Sequence, residues 1–247
     1  MSENYIVTSL NKKLLDKYAH RFLDTYIKHN IPADLYVYVE DDLSNYVGYH
    51  NTNIKFINLF QRDSECWNFV QRHSNNRVVD YRWDAVRFCY KVFAQYLGAS
   101  NPGKRMFWID ADCIFVKPMD EKWFSDILGD SMVAFFDRPN FYTECGFIGY
   151  DTSMPGCKIF LEEFRRMYIS DDIFKEAELH DSYIFDRVRN KASTLIGNTY
   201  TETKLGNPEG DLHIMARCPQ VSPYIDHKKG PRKSKEHSPE WLKFNND

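Results

Sequence analysis

The amino-acid sequence predicts an α/β fold, a mostly parallel sheet with flanking helices followed by an irregular C-terminal region. Three observations predict it. Short runs rich in β-branched and aromatic residues alternate with segments whose apolar residues recur at helical spacing, the pattern of strand–helix–strand units. Several of these runs are apolar throughout, as in a sheet covered on both faces. Of 247 residues, 43% are hydrophobic and 27% charged, enough apolar material for one sizeable core, which excludes a disordered chain.

The elements follow in order. Tyr5-Ile6-Val7-Thr8 is a β-rich run, and Asn11 after it is a helix cap. Leu15, Tyr18, Ala19, Phe22, Leu23, Tyr26 and Ile27 then repeat at helical spacing up to Asn30 and Pro32. Strands are predicted at residues 35–39 and 54–57, a helix over 83–97 ending at Gly98, and a buried strand over 106–109 running into Asp110. Further strands are predicted at 132–136 and 147–150, with a helix near 159–168 and a second, shorter one after Asp181. From Thr199 onward Gly, Pro and charged residues dominate, so long loops or a tail are expected there.

Composition narrows the function classes. With 32 basic and 35 acidic side chains the net charge is -3, so no global field draws the chain to nucleic acid. No apolar run approaches the roughly 20 residues of a membrane-spanning helix. Met1-Ser2-Glu3-Asn4 lacks the basic flank of a signal peptide, and a cytoplasmic protein is expected. The six cysteines form no Cys-x-x-Cys pair, which argues against a zinc or disulfide framework.

The residues that carry chemistry fall in four places. Arg105-Met106-Phe107-Trp108-Ile109-Asp110-Ala111-Asp112 drives two carboxylates to the C-terminal end of a buried strand, where open α/β sheets bind ligands. Residues two apart on an extended chain lie on one side, roughly 6.5 Å apart. Such a pair suits one hydrated Mg²⁺ or Mn²⁺ gripping a diphosphate, or else merely caps the strand. Asp84, Arg87 and Lys91 share one face of the preceding helix, a stripe for a charged ligand or an ordinary solvated face. In Tyr224-Ile225-Asp226-His227-Lys228-Lys229-Gly230-Pro231-Arg232-Lys233, His227 offers a nitrogen to a metal. Gly230 permits a tight path, and the cations suit a departing diphosphate or form a basic tail. Gly146 after Glu144-Cys145 suggests close approach of the backbone to a ligand, and Asp181 reads as a helix cap or a functional acid. His20, His29, His50, His73, His213 and His237 show no ligand spacing. The motifs of P-loop NTPases, dinucleotide oxidoreductases, zincins and lipases are absent.

In this order the segments resemble nucleotide-sugar glycosyltransferases of the GT-A fold, similar to small bacterial and viral members of the glycogenin and lipopolysaccharide galactosyltransferase family. The nucleotide-holding first strand and loop match Ile6-Val7-Thr8-Ser9-Leu10-Asn11, and the arginine-bearing helix matches Trp83 to Lys91. The Asp-x-Asp matches Asp110-Ala111-Asp112, the Gly-apolar strand matches Gly146 to Asp151, and the acceptor-side Asp matches Asp181. The closing His-x-x-Gly-x-x-Lys matches His227, Gly230 and Lys233. Two positions depart: Glu144-Cys145 stands where the family carries Asn, and Asp181-Ser182-Tyr183 where it carries Asp-Gln-Asp.

The resemblance implies a Rossmann-like GT-A domain over residues 1–247, with a nucleotide-binding half at about 5–112. An acceptor half with a metal and diphosphate loop follows at about 113–235. It implies Mn²⁺ or Mg²⁺ on Asp110, Asp112 and His227. The donor, a UDP-sugar first, is expected on Thr8, Asn11, Asp84, Arg87, Lys91, Asp110, Lys228, Gly230 and Lys233, the last three on a closing loop. Asp181 or Glu144 orients the acceptor hydroxyl, which belongs to a glycan or lipid-linked saccharide. No stable nucleic-acid partner and no membrane span are expected, and the compartment is the cytoplasm of a bacterium or virus-infected host cell. The rivals are a glycosyltransferase acting on hydroxylated DNA bases and a sugar nucleotidyltransferase. Thr8-Ser9-Leu10-Asn11 lacks the Gly-rich, basic loop that the latter needs.

Overall fold

A computed structural model describes residues 2–49, 51–206 and 213–245, so His50 and residues 207–212 of the expected C-terminal loops lie outside the described residues. The chain opens with β1 (Asn4–Leu10) and α1 (Lys12–Leu14), a π-helical turn at Leu15–Ala19 and α2 (His20–Lys28). The Asn11 side chain accepts from the Leu14 amide at 3.0 Å, the expected cap. There follow β2 (Asp34–Val39), β3 (Ile54–Asn58), α3 (Leu59–Arg62), α4 (Ser64–Arg72) and α5 (Ala85–Gly98). Next come β4 (Arg105–Ile109), β5 (Cys113–Phe115), α6 (Glu121–Leu128), β6 (Val133–Phe136) and β7 (Glu144–Asp151). The chain continues with α7 (Pro155–Ile169), α8 (Asp181–Ile196), β8 (Glu202–Leu205), α9 (Ile214–Arg217), β9 (Ile225–His227) and α10 (Pro239–Asn245).

Seven strands form one sheet in the order β3-β2-β1-β4-β7-β6-β8. β3, β2, β1 and β4 are parallel, β7 runs antiparallel between β4 and β6, and β8 pairs parallel with β6. Alternation along β1 explains why both faces are apolar. Tyr5 and Val7 enter a core with Tyr36, Phe93 and Met106, while Ile6 and Leu10 enter another with Phe22, Leu35 and Phe107. Among the described residues no helix is long and apolar enough to cross a membrane.

Three expectations on the elements need correction. The helix after Asp181 is not the shorter one: α8 has 16 residues and α7 has 15. Its inward face (Ile184, Phe185, Val188, Ala192) is narrow, and the charges around it mask the apolar stripe. The region beyond Thr199 is not loop alone, since β8 extends the sheet, β9 pairs with β5, and α10 seats Trp241, whose Nε1–H donates to Ser222 O at 2.6 Å. Strands of three or four residues derive their stability from a partner, so they leave little local signal. The helix expected from Trp83 starts at Ala85, because Asp84 is its N-cap.

Candidate active site

The C-terminal ends of β1, β2 and β4 open into a cleft of about 1070 Å³, room for a ligand of nucleotide-sugar size. Strand β4 ends at Ile109, and the backbone then turns, with the Cys113 amide donating to Asp110 O at 2.9 Å. The expected extended Asp110–Asp112 pair is therefore a turn. Asp110 Oδ1 accepts from Trp108 Nε1 at 2.7 Å and from Lys91 Nζ at 2.9 Å. That leaves Oδ2 facing His227 Nε2 at 3.9 Å.

Strand β9 carries His227 to this turn. Its antiparallel pairing with β5 sets His227 opposite Cys113, and Nε2 lies 3.1 Å from Asp112 Oδ1. Asp112 Oδ1 is buried without a hydrogen-bond donor, while Oδ2 pairs with Lys233 Nζ at 2.7 Å. Burial opposes ionisation of Asp112, yet His227 and Lys233 hold it well below the ordinary carboxylate range. An orphaned buried oxygen beside an imidazole nitrogen fits a divalent cation; the carboxylate oxygens suit Mn²⁺ or Mg²⁺, and of the two the imidazole favours the transition metal Mn²⁺. Cys113 also lies close, its Sγ within 4.8 Å of the Asp112 and His227 ligand atoms. Burial pushes that thiol well above its ordinary pKa, so it stays protonated and is a poor ligand for a hard cation. Asp110 is the better third donor.

Gly146 has a local reason. A Cβ there would lie 2.3 Å from His227 Cε1 and 2.7 Å from Nδ1. The close approach expected at this glycine is thus to the His227 ring. Behind the ring, Glu144 Oε1 sits 3.8 Å from Nδ1, and the carboxylate is ion-paired with Lys229 and, at 3.4 Å, with Arg138. Burial alone would raise the Glu144 pKa, but Lys229, His227 and Arg138 bring it down to about 2.

Lys91 is the buried cation of the site. Its Nζ donates to Asp110, to Asp181 Oδ2 at 2.8 Å and to Cys145 O. Burial works against its charge, and the two carboxylates more than offset this, holding the pKa above the ordinary lysine value. Asp181 is not the cap of α8. His180 holds that place, its side chain accepting from the Tyr183 amide, and Asp181 is the first helical residue. Nε2 of His180 is engaged by Glu178 at 2.9 Å, so neither ring nitrogen is open to a substrate.

The structure gathers Glu144, Asp181, Arg87, Lys91, Asp110, Gly230, Lys233, Asp112 and His227 around this cleft. Gly230 adopts φ +57, the left-handed region. Thr8, Asn11, Asp84 and Lys228 lie off its lining. Thr8 is fully buried in β1. Asn11 caps α1, and Asp84 caps α5 and pairs with Arg77 Nε at 2.8 Å. Lys228 turns its ammonium to the carbonyls of Lys235 (2.8 Å) and Glu236, where burial and Arg21 draw its pKa down to about 8. Sequence reasoning missed Arg138, Lys229, Glu178 and Glu40 as cleft residues. Lys229 stood within the quoted basic run, whereas the other three carry no motif.

No family model and no curated protein matches the sequence. Solved structures do. The glycosyltransferase GlyE of Streptococcus pneumoniae TIGR4 aligns with a TM-score of 0.51 at 11% identity, over 82% of this chain and 45% of that one. An active-site mutant of LgtC gives 0.49 at 13% identity, over 94% and 88%. Mouse xyloside xylosyltransferase 1 gives 0.47 at 10%, over 83% and 86%. The chain spans less than half the length of GlyE and 38% of the bifunctional glycosyltransferase WbbM. With GlyE as the solved counterpart, the chain has the fold of the GT-A-type glycosyltransferases.

Proposed function

We propose that this chain is a metal-dependent glycosyltransferase that moves a sugar from a nucleoside-diphosphate sugar, a UDP-sugar first, to an acceptor hydroxyl of a saccharide. The observation that supports this most is the convergence of Asp110, Asp112 and His227 in one cleft at the strand ends, with Lys233 against Asp112. Asp110, Asp112 and His227 would hold Mn²⁺ or Mg²⁺, which supplies Lewis-acid neutralisation of the diphosphate.

The chain's own groups do the remaining work. Cleaving a sugar–phosphate bond leaves growing negative charge on the departing diphosphate. Lys233 already stands at Asp112, and Arg87, which makes no ion pair among the described residues, lines the same cleft. Both are placed to stabilise that charge as it develops. Asp181, pinned by Lys91, offers a carboxylate to the sugar or the acceptor hydroxyl. Glu144, held by Lys229 and Arg138, orients the His227 ring and so acts as a positioning residue. Tyr81, Phe141 and Tyr142 expose their rings at the mouth, a surface for the flat face of an acceptor.

The test is to incubate the protein with Mn²⁺ and a panel of nucleotide sugars and to measure released nucleoside diphosphate. Asp112→Asn is expected to lower turnover by at least about 100-fold, since a neutral amide is a much poorer ligand than a carboxylate for the divalent cation that neutralises the diphosphate. Release of pyrophosphate instead, or full turnover in EDTA, overturns the reading.

A further inference from the structure

Tyr18 lines the cleft beside the metal and diphosphate cluster and belongs to no motif. Its place depends on an irregular turn. Leu15–Ala19 is π-helical, and the His20 amide closes it onto Leu15 O. The His20 ring adds a second bond to that carbonyl, with Nδ1–H donating at 3.0 Å. On a regular α-helix Tyr18 and Phe22 would share one face. The extra residue of a π turn rotates the segment before it by roughly 100° against the segment after it, one residue's worth of helix. Phe22 accordingly stays fully buried in the core while Tyr18 reaches the cleft. Such turns are rare and recur at functional sites.

The Tyr18 ring meets a cation of the site. Lys233 Nζ stands over its face, 4.3 Å from the ring centroid, while the same ammonium pairs with Asp112 Oδ2 at 2.7 Å. Burial raises the Tyr18 phenol above its ordinary pKa against the pull of Lys233, so the ring is neutral and the contact is one of cation with π-face. Three residues on, Arg21 donates to Lys233 O at 3.2 Å. Residues 18 and 21 thus hold Lys233 at both ends, the side chain by its charge and the backbone by its carbonyl.

This matters because a lysine stem samples many rotamers, and fixing it beforehand spares that loss when an anion binds. Asp112 alone is a poor anchor for the purpose, since a metal ion bound there competes with the ammonium for the same carboxylate. The Tyr18 ring takes no part in that competition.

Resting on the glycosyltransferase reading, we propose that Tyr18 is a positioning residue whose ring holds the Lys233 ammonium ready for the leaving diphosphate, and that the π-helical turn is what presents it. Tyr18 gives up no proton and forms no bond to the substrate. It acts through Lys233 alone.

The experiment is calorimetric titration of the full chain with UDP, CDP, GDP and ADP in the presence of Mn²⁺, followed by a double-mutant cycle on the tightest of them. Tyr18→Leu keeps an apolar side chain and is expected to weaken binding about fivefold, the size of a partly desolvated cation–π contact. Tyr18→Phe keeps the face and is expected to stay within about twofold of the wild type. In a Lys233→Met background, Tyr18→Leu is expected to cost nothing further, because the group it positions is gone. Equal losses in both backgrounds would mean that Tyr18 merely packs, and would overturn the inference, as would a Phe variant as weak as the Leu variant. Should Tyr18→Leu fail to fold, phenylalanines of increasing ring fluorination at position 18 replace it. They keep the shape and drain the π-face, so affinity is expected to fall stepwise, and an unchanged affinity overturns the inference. Where the wild type binds a nucleoside diphosphate, any of these failures leaves the glycosyltransferase reading standing. If no nucleoside diphosphate binds the wild type, both fall.

Discussion

Lys91 shows how one side chain organises two carboxylates. Its ammonium joins Asp110 on the metal side to Asp181 on the sugar side, each at under 3 Å. Lys91→Met leaves two acids facing each other without their cation. It is expected to cost roughly 3–5 kcal/mol of stability, the size seen when a buried pair is broken from one side. Urea unfolding checks this, and Lys91→Arg, which keeps the charge, is expected to recover most of the loss. Asp181→Asn tests the other end. Because His180 caps α8, the Asn variant loses charge and no cap. Turnover is expected to fall by about 100-fold or more with the fold intact. A variant turning over at the wild-type rate would return Asp181 to a structural role.

At the scale of elements, the β5–β9 pair and the segment after it build the site. The sequence leads one to expect residues 228–233 to close as a loop over bound diphosphate, but this segment is already held. Arg21 of α2 donates to the carbonyls of Lys233 (3.2 Å), Lys235 (2.6 Å) and Glu236 (3.3 Å), and Lys228 donates to the last two. Arg232 pairs with Glu240 of α10 at 2.6 Å. Two cations thus satisfy one turn of carbonyls and fix Lys233 over Asp112. Arg21→Ala removes three of these bonds and is expected to speed hydrogen exchange across residues 228–236 by at least about tenfold. It is also expected to weaken nucleotide binding while leaving exchange in β1 unchanged. Equal exchange in variant and wild type would show that Lys228 suffices alone.

For the whole molecule, the buried acids of the site tie stability to pH. Glu144 titrates near 2 in the fold against an ordinary 4.5, and Asp112 is depressed as well. A lowered folded pKa means that the unfolded chain binds protons first as pH drops. The stabilisation is therefore complete above about 4.5 and is lost as pH falls through about 2. The urea midpoint is expected to decline over that window. Glu144→Gln is expected to be less stable at pH 7 and to decline less steeply, because one of the linked protons is gone.

The sequence by itself determined the parallel half of the sheet, since apolar runs such as 35–39 and 106–109 need burial on both faces wherever they lie. It also determined the Asn11 cap and the placing of Asp110 and Asp112 at a strand end, because caps and strand ends are local features. It left β5, β9 and α10 unread, since strands of three residues and a helix of seven gain little locally and form against partners. Only the tertiary structure decided that His227 meets Asp112, through the β5–β9 register, and that Gly146 makes space for its ring. It also decided that Lys91 faces two acids. These are encounters between distant segments. Their energies come from charge and hydrogen bonding at a few ångströms, and no periodicity along the chain encodes those distances.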